Sequence, residues 1–196
     1  DFIDIEQMQN DKFELRKESC EVTKLIVTAL DLVADLAQSR GIEITVENIP
    51  ALSVPADERR IVQVLQNFVS NAIKYGAKQE SVIKIESRLV HDAKYPQIEI
   101  AVLDNGPGLP PEIKDRIFDR YAAYVQLPSA SASRKGSLIN SNGLGLAICK
   151  EIIQAHGGTL GGENIEGGGC KFWFRLPLEL HEVKLSRVKA NRLEED

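Results

Sequence analysis

A chain of 196 residues, 43% hydrophobic, carries enough apolar material for one domain of about 150 residues with extensions. Its 29 acidic and 24 basic residues give a formal charge of −5 with no basic stripe, which argues against a nucleic-acid partner. No apolar run reaches the ~18 residues of a membrane span and the acidic start is no secretory leader, so no membrane contact is expected of this segment.

Phe2, Ile5 and Met8 share one side of a helical pattern that starts abruptly, as the last turns of a helix cut from a longer protein would. Phe13 and Leu15 then alternate with charges as a short strand. From Ser19, the apolar positions Val22, Leu25, Ile26, Ala29, Leu30, Val33 and Leu36 predict a single helix stopped by Gly41. Ile42, Ile44 and Val46 alternate with Glu43, Thr45 and Glu47 as a half-buried strand. Pro50 and Pro55 punctuate the next stretch, and a second helix is predicted over 57–75, ended by Gly76.

Residues 82–90 and 98–103 are alternating and β-branched, and they predict an antiparallel pair joined by a polar connection containing Pro96. A glycine turn occupies 104–109, and a short helix over 111–118 has proline in its first turn. Residues 121–142 lack apolar periodicity and predict a mobile loop. A third long helix is predicted over 143–156, followed by strands at 159–163 and 170–176 that the turn Gly167-Gly168-Gly169 joins. Beyond Pro177 the chain becomes charged, as an exposed helix or tail. Cys20, Cys149 and Cys170 are odd in number and far apart, and are expected as buried thiols in a reducing compartment. Helices and antiparallel strands without regular β-α-β alternation predict an α+β sandwich, with helices on one face of a mixed, mainly antiparallel sheet.

Four features carry chemistry. On the second helix Asn67, Asn71 and Lys74 are spaced four and three residues apart and share one face, while Phe68, Val69, Ala72 and Ile73 point to the core. Two carboxamides and an ammonium suit a triphosphate with its magnesium, though a polar face is also what any surface helix shows. Asp104-Asn105-Gly106-Pro107-Gly108 follows an apolar strand, where a carboxylate can accept from an exocyclic amine and glycines admit a flat ring; the same residues also make an ordinary tight turn. Asn142-Gly143-Leu144-Gly145-Leu146-Ala147 opens a helix whose free amides favour phosphate, or serves as a flexible joint. Ile117-Phe118-Asp119-Arg120-Tyr121 offers an aromatic anchor and a guanidinium within reach of a γ-phosphate, and core packing accounts for Phe118 equally well.

Taken in this order, the motifs over about residues 14–178 resemble the catalytic domain of two-component sensor histidine kinases, within the GHKL ATPase superfamily. His156-Gly157-Gly158 and Phe172-Trp173-Phe174-Arg175-Leu176-Pro177 extend the likeness. The resemblance implies a Bergerat fold, with three helices covering one face of the sheet, and an ATP lid over 121–142. It also implies that Asn71 holds Mg²⁺ with Asn67 assisting, that Lys74 contacts phosphate, and that Tyr75 lies beside the nucleotide. Asp104 would bind the adenine amine. Gly106, Gly108, Gly143 and Gly145 would shape the pocket, lined also by Leu109, Phe118, Leu144 and Leu146. Asn67, Lys74 and Arg120 would serve catalysis.

Family members of this type phosphorylate a histidine on a dimerisation domain, which passes the group to a response-regulator receiver domain. Residues 1–13 would then be the end of a dimerisation helix, 14–178 the catalytic domain and 179–196 a tail, in a homodimeric parent whose catalytic part is cytoplasmic. ATP-hydrolysing members of the superfamily place a glutamate four residues before the metal asparagine. Here that residue is Asn67, which is no general base at neutral pH, so phosphoryl transfer is expected in place of rapid hydrolysis. The family often shows Gly-Thr-Gly-Leu-Gly-Leu where this chain has Ser141-Asn142-Gly143-Leu144-Gly145-Leu146. No histidine in a His-Glu or His-Asp setting precedes the motifs, and His181-Glu182-Val183-Lys184 lacks the Thr-Pro that follows the acceptor. His91 and His156 suit strand-end and helix-end roles. The competing function is a nucleotide-responsive interaction module with little chemistry.

Overall fold

The computed structural model describes residues 14–76, 82–91, 95–120 and 143–178. The expectations for residues 1–13, for the loop 121–142 and for the tail 179–196 with His181 lie outside the described residues. In chain order the elements are β1 (Glu18–Glu21), α1 (Val22–Asp31), α2 (Ala34–Ser39), β2 (Glu43–Glu47), β3 (Ser53–Ala56) and α3 (Glu58–Tyr75). They continue as β4 (Val82–His91), β5 (Pro96–Asp104), α4 (Pro111–Lys114), α5 (Gly145–Ala155), β6 (Thr159–Asn164) and β7 (Cys170–Pro177).

Strand alternation decides which side of the sheet is covered. Ile83 and Ile85 on β4, Ile98, Ile100 and Val102 on β5, and Phe172, Phe174 and Leu176 on β7 all point inward and are buried. The sheet runs β2-β4-β5-β7-β6, with β2 parallel to β4 and the other neighbours antiparallel. Helix α3 lies over β4 and β5 with α1 on one flank and α5 on the other, giving the expected α+β sandwich with three helices on one face. Asp57 caps α3 by accepting the Arg60 amide at 3.2 Å, and Glu58 and Lys74 suit the positive and negative ends of its dipole. The helix buries Ile61, Val64, Leu65, Phe68, Val69 and Ile73.

Three expectations are corrected. Residues 14–17 form no strand, and the short helix expected over 111–118 spans only Pro111–Lys114. The helix predicted from Ser19 begins only at Val22, because Glu18–Glu21 pairs antiparallel with Ser53–Ala56. The Cys20 thiol donates to the Ala56 carbonyl, 36 residues away, at 3.3 Å, and the Val22 amide donates to Leu52 at 3.1 Å. A ladder to a distant partner overrides the local helical pattern, and Pro55 fits this two-stranded sheet because both its strands are edges. The helix also breaks after Asp31, where the Val33 amide turns back to Leu30 at 3.0 Å, and resumes as α2.

At the lower end of the helical layer, His156 closes α5 and is 2% exposed. Its Nδ1 lies 2.8 Å from the Ile152 carbonyl and its Nε2 accepts the Asp57 amide at 3.0 Å, so the neutral ring carries its proton on Nδ1. Burial holds this imidazole below its ordinary pKa.

The opposite face of the sheet is polar but not open. Trp173 lies over Gly161, whose missing Cβ would come within 2.5 Å of the indole, and the Arg175 guanidinium sits 4.6 Å from the Trp173 ring centroid. Arg175, Lys171 and Arg88 converge on Glu99 at 2.8, 3.1 and 2.9 Å, leaving that carboxylate only 2% exposed. Burial pushes the Glu99 pKa up, but the hydrogen bonds from Arg175 and Lys171 outweigh it and the net shift is downward. A lowered carboxylate pKa stabilises the fold above the ordinary titration range and is lost as pH falls through the lowered value. Glu99→Gln is therefore expected to cost about 1–3 kcal/mol in urea unfolding at pH 7, with the difference from the wild type shrinking in strong acid. A constant difference at all pH values would contradict the assigned ion cluster.

Candidate functional site

The site forms where α3 ends against the turn that follows β5. Asn67 and Asn71 are half-buried on α3, Lys74 is exposed and Tyr75 half-buried. A Cβ on Gly106 would lie 2.5 Å from the Gly76 α-carbon, and one on Gly76 would lie 2.9 Å from the Asp104 Cβ. Only glycine at both places lets the helix end and the turn meet backbone to backbone. That contact fixes Asp104 beside the C-terminus of α3.

Asp104 closes β5, and its Oδ1 accepts the Gly106 amide at 2.8 Å. Burial raises its pKa above the ordinary value, against the opposing pull of the Gly106 and Cys170 amides. The lone pairs left over suit one more donor, which would offset the desolvation. Gly108 takes a left-handed φ of 76°, with Asn164 Oδ1 in the place a Cβ would reach. Asn164 clamps Leu109 by both main-chain groups: its Oδ1 accepts the amide at 2.6 Å and its Nδ2 donates to the carbonyl at 3.0 Å. A Cβ on Gly169, whose φ is 101°, would strike the Asp104 carbonyl oxygen.

The other wall is the start of α5. Gly143 adopts a φ of 62°, Leu144 is buried, and Leu146 packs partly buried on the core. Asn67 Nδ2 donates to the Gly145 carbonyl at 3.1 Å, and a Cβ on Gly145 would come within 2.6 Å of Asn67 Oδ1. Cys149, one turn further on, is buried beside the Asn67 carboxamide, and burial pushes its thiol pKa upward. Leu144 at the N-cap offers α5 no side-chain acceptor, and the first-turn amides of such a helix can donate to an anion.

Phe118 sits edge-on to Phe172 at 6.1 Å, and Phe172 leads on to Phe68 at 5.5 Å, so the aromatic side chain is anchored to the core. Arg120 turns to Glu151 on α5 at 3.8 Å, and neighbouring Asp119 lies 3.9 Å from Lys150. Both pairs are largely exposed and contribute little to stability. The structure thus brings Gly145 to Asn67 and sets Gly106 and Asp104 against the end of α3, with Asn71 and Lys74 on α3 between these two contacts and Arg120 paired to Glu151 on α5. Gly76, Asn164 and Gly169 escaped the sequence reading as site residues. Gly76 stood out only as a helix stop, Gly169 only as part of a turn, and Asn164 carried no signal.

Among the described residues no three His, Cys, Asp or Glu side chains gather to hold a metal ion. A cation in the cleft would rest on the α3 carboxamides and the oxygens of its own ligand. Glycine substitutions are expected to separate accordingly. Gly169→Ala meets backbone at a positive φ and is expected to cost about 1–3 kcal/mol. Gly145→Ala only displaces the Asn67 side chain and gains helix propensity, so it is expected to stay within about 1 kcal/mol of the wild type. Urea unfolding of the two variants checks the ranking, and equal losses would contradict it.

Residues 56–180 match the family model of histidine kinase-, DNA gyrase B-, and HSP90-like ATPases. The sensor protein kinase WalK of Staphylococcus epidermidis is 29% identical over 184 residues, which are 93% of this chain and 28% of WalK, so the chain spans little more than a quarter of that relative. The catalytic domain of histidine kinase ThkA superposes with a TM-score of 0.61 at 31% identity, over 84% of this chain and 96% of that domain. ThkA in complex with the response regulator TrrA aligns with a TM-score of 0.63 at 28% identity, over 91% of this chain and 47% of ThkA. Full-length ShkA in complex with AMPPNP aligns with a TM-score of 0.69 at 27% identity, over 90% and 34% of the two chains. The chain belongs to the histidine kinase-, DNA gyrase B- and HSP90-like ATPase family, and within it to the catalytic domains of sensor histidine kinases.

Proposed function

We propose that this domain binds Mg-ATP in the cleft between α3, the Asp104 turn and α5, and directs its γ-phosphoryl group to a histidine on a dimerisation domain outside this chain. A receiver-domain aspartate of a response regulator is the onward acceptor. The AMPPNP complex of ShkA and the ThkA complex with TrrA support the ligand and partner classes by family likeness. We place the reaction in the cytoplasm and the parent protein in a homodimer. Among the described residues no helix is long and apolar enough to cross a membrane.

Bound ATP supplies the phosphoryl group, and Mg²⁺ offsets its charge as it leaves. Asp104 accepts the adenine amine, while Gly106 and Gly108 admit the ring to the backbone and Leu109, held by Asn164, closes one side. Tyr75 lies beside the nucleotide. Asn71 is assigned as the protein's metal ligand and Lys74 as a phosphate contact. The amides opening α5 around Gly143, Leu144 and Gly145 receive phosphate oxygens. Arg120 exchanges its weak contact with Glu151 for the γ-phosphate.

The observation that carries transfer over hydrolysis is at Asn67. A carboxamide stands where the hydrolysing relatives have a glutamate, and it is tied to Gly145 at 3.1 Å, so no carboxylate at this position can activate water. Mixing the domain with Mg-ATP and its dimerisation helices should place acid-labile phosphate on those helices. Nucleotide binding without such phosphate would favour the interaction-module reading. Asp104→Asn is expected to weaken Mg-nucleotide affinity by about 1.5–3 kcal/mol, roughly ten- to a hundredfold. The same variant should unfold no earlier than the wild type, since it removes a carboxylate that burial disfavours. Titration calorimetry and thermal unfolding on one sample read both effects, and unchanged affinity would remove Asp104 from the adenine site.

A further inference from the structure

Helices α3 and α5 run antiparallel and are joined by polar contacts at two places. At the cleft, Asn67 Nδ2 donates to the Gly145 carbonyl at 3.1 Å. At the far end, His156 Nε2 accepts the Asp57 amide at 3.0 Å while Nδ1 holds the Ile152 carbonyl at 2.8 Å. Ten residues separate Asp57 from Asn67 and eleven separate Gly145 from His156. At 1.5 Å per residue these spans are about 15 and about 16.5 Å, so the two contacts are the ends of one frame of nearly equal sides.

Between the ends the two helices pack against each other, and the apolar residues Val64 on α3 and Ile148 and Ile152 on α5 are buried in the core. Close packing interlocks these side chains but is non-directional, so it does not by itself single out one register against a slide of one helix along the other. Hydrogen bonds of fixed length do resist it. Asp57 is itself held twice more, its Oδ1 accepting the Arg60 amide at 3.2 Å and its Oδ2 the Arg16 amide at 3.1 Å. Its main-chain amide is therefore a stationary donor, and the ring that accepts it sets where α5 ends. The start of α5 then follows, and with it the placement of Gly145 against Asn67.

We propose that His156 is a positioning residue for the nucleotide site, fixing the register of α5 against α3 from about 15 Å away. The proposal rests on the ATP-site reading above. His156 touches neither nucleotide nor reacting atoms, and it acts through Asp57 and the length of α5.

The test has two arms on the same protein. In the nucleotide-free domain, ¹H–¹⁵N spectra of His156→Ala should show displaced signals for the Asn67 side-chain amide and the Gly145 main-chain amide. With the non-hydrolysable analogue AMPPNP and Mg²⁺, the affinity of the folded fraction should fall about tenfold. His156→Gln, which keeps one donor and one acceptor, should recover part of both effects, and it is read in the same way if the alanine variant does not fold. Glu99→Gln, on the opposite face of the sheet, is the control for general destabilisation and should change neither signal nor affinity. Unmoved Asn67 and Gly145 signals, or an AMPPNP affinity equal to the wild type, would overturn the proposal. So would equal effects in the Glu99→Gln control. If the wild-type domain itself failed to bind AMPPNP, the ATP reading would fail instead, and the spectra alone would still decide the register.

Discussion

The cleft depends on two glycines lying against each other. Gly76 ends the long central helix and Gly106 opens the turn after the central strand, and a single methyl group on either would collide with the other's surroundings. Because α3 is a rigid rod capped by Asp57, placing its last residue against the turn also places Lys74, next to that end, and Asn71, about one turn before it, on one face. Asp104 is set by the same contact. The adenine and phosphate contacts proposed for this domain would thus belong to one rigid geometry.

The sheet serves that geometry from both faces. Its inner face supplies Phe172 and Phe174, which pack around Phe68 and hold α3 flat over β5. Its outer face keeps the strands in register by a different means, three cations around the buried Glu99 and an indole laid over Gly161. A buried carboxylate is costly unless fully partnered, and here the partners come from β4 and β7 on either side of β5. The ion cluster therefore spans the same three strands as the apolar core beneath it.

Much of this was legible along the chain, for reasons that differ by element. The central helix announced itself through core-facing apolar positions and a terminal glycine, and the strands through alternation. Asn71, Lys74 and Asp104 stood out because their chemistry is local, a side chain at a given place on a helix or at a strand end. What escaped were residues whose role lies in a distant neighbour. Asn164 matters through Leu109, 55 residues away, and although the helix-end place of His156 was legible, its partner Asp57, 99 residues away, was not. The segment around Ser19 misled for the same reason, since its partner strand lies beyond α1, α2 and β2 and an apolar stripe continued across the boundary. Arg120 is visible in the sequence as a cation near the cleft, but its pairing with Glu151 is not, because that pair depends on how the segment after α4 lies along α5.

The three cysteines have a practical consequence. All are free and buried, and each belongs to a different part of the molecule: Cys20 to the β1–β3 ladder, Cys149 to the α3–α5 seam behind Asn67, and Cys170 to the strand edge beside Asp104. Burial, with the Asp104 charge beside it, pushes the Cys170 thiol up to about 12, so it stays protonated and inert while that region is closed. Alkylation rates at the three sites would accordingly time three separate openings of one molecule. The native chain thereby carries its own set of local probes: two lie beside Asn67 and Asp104 in the candidate site and one lies away from it, so slowing at the first two alone would distinguish a ligand that tightens that region from one that stabilises the whole domain.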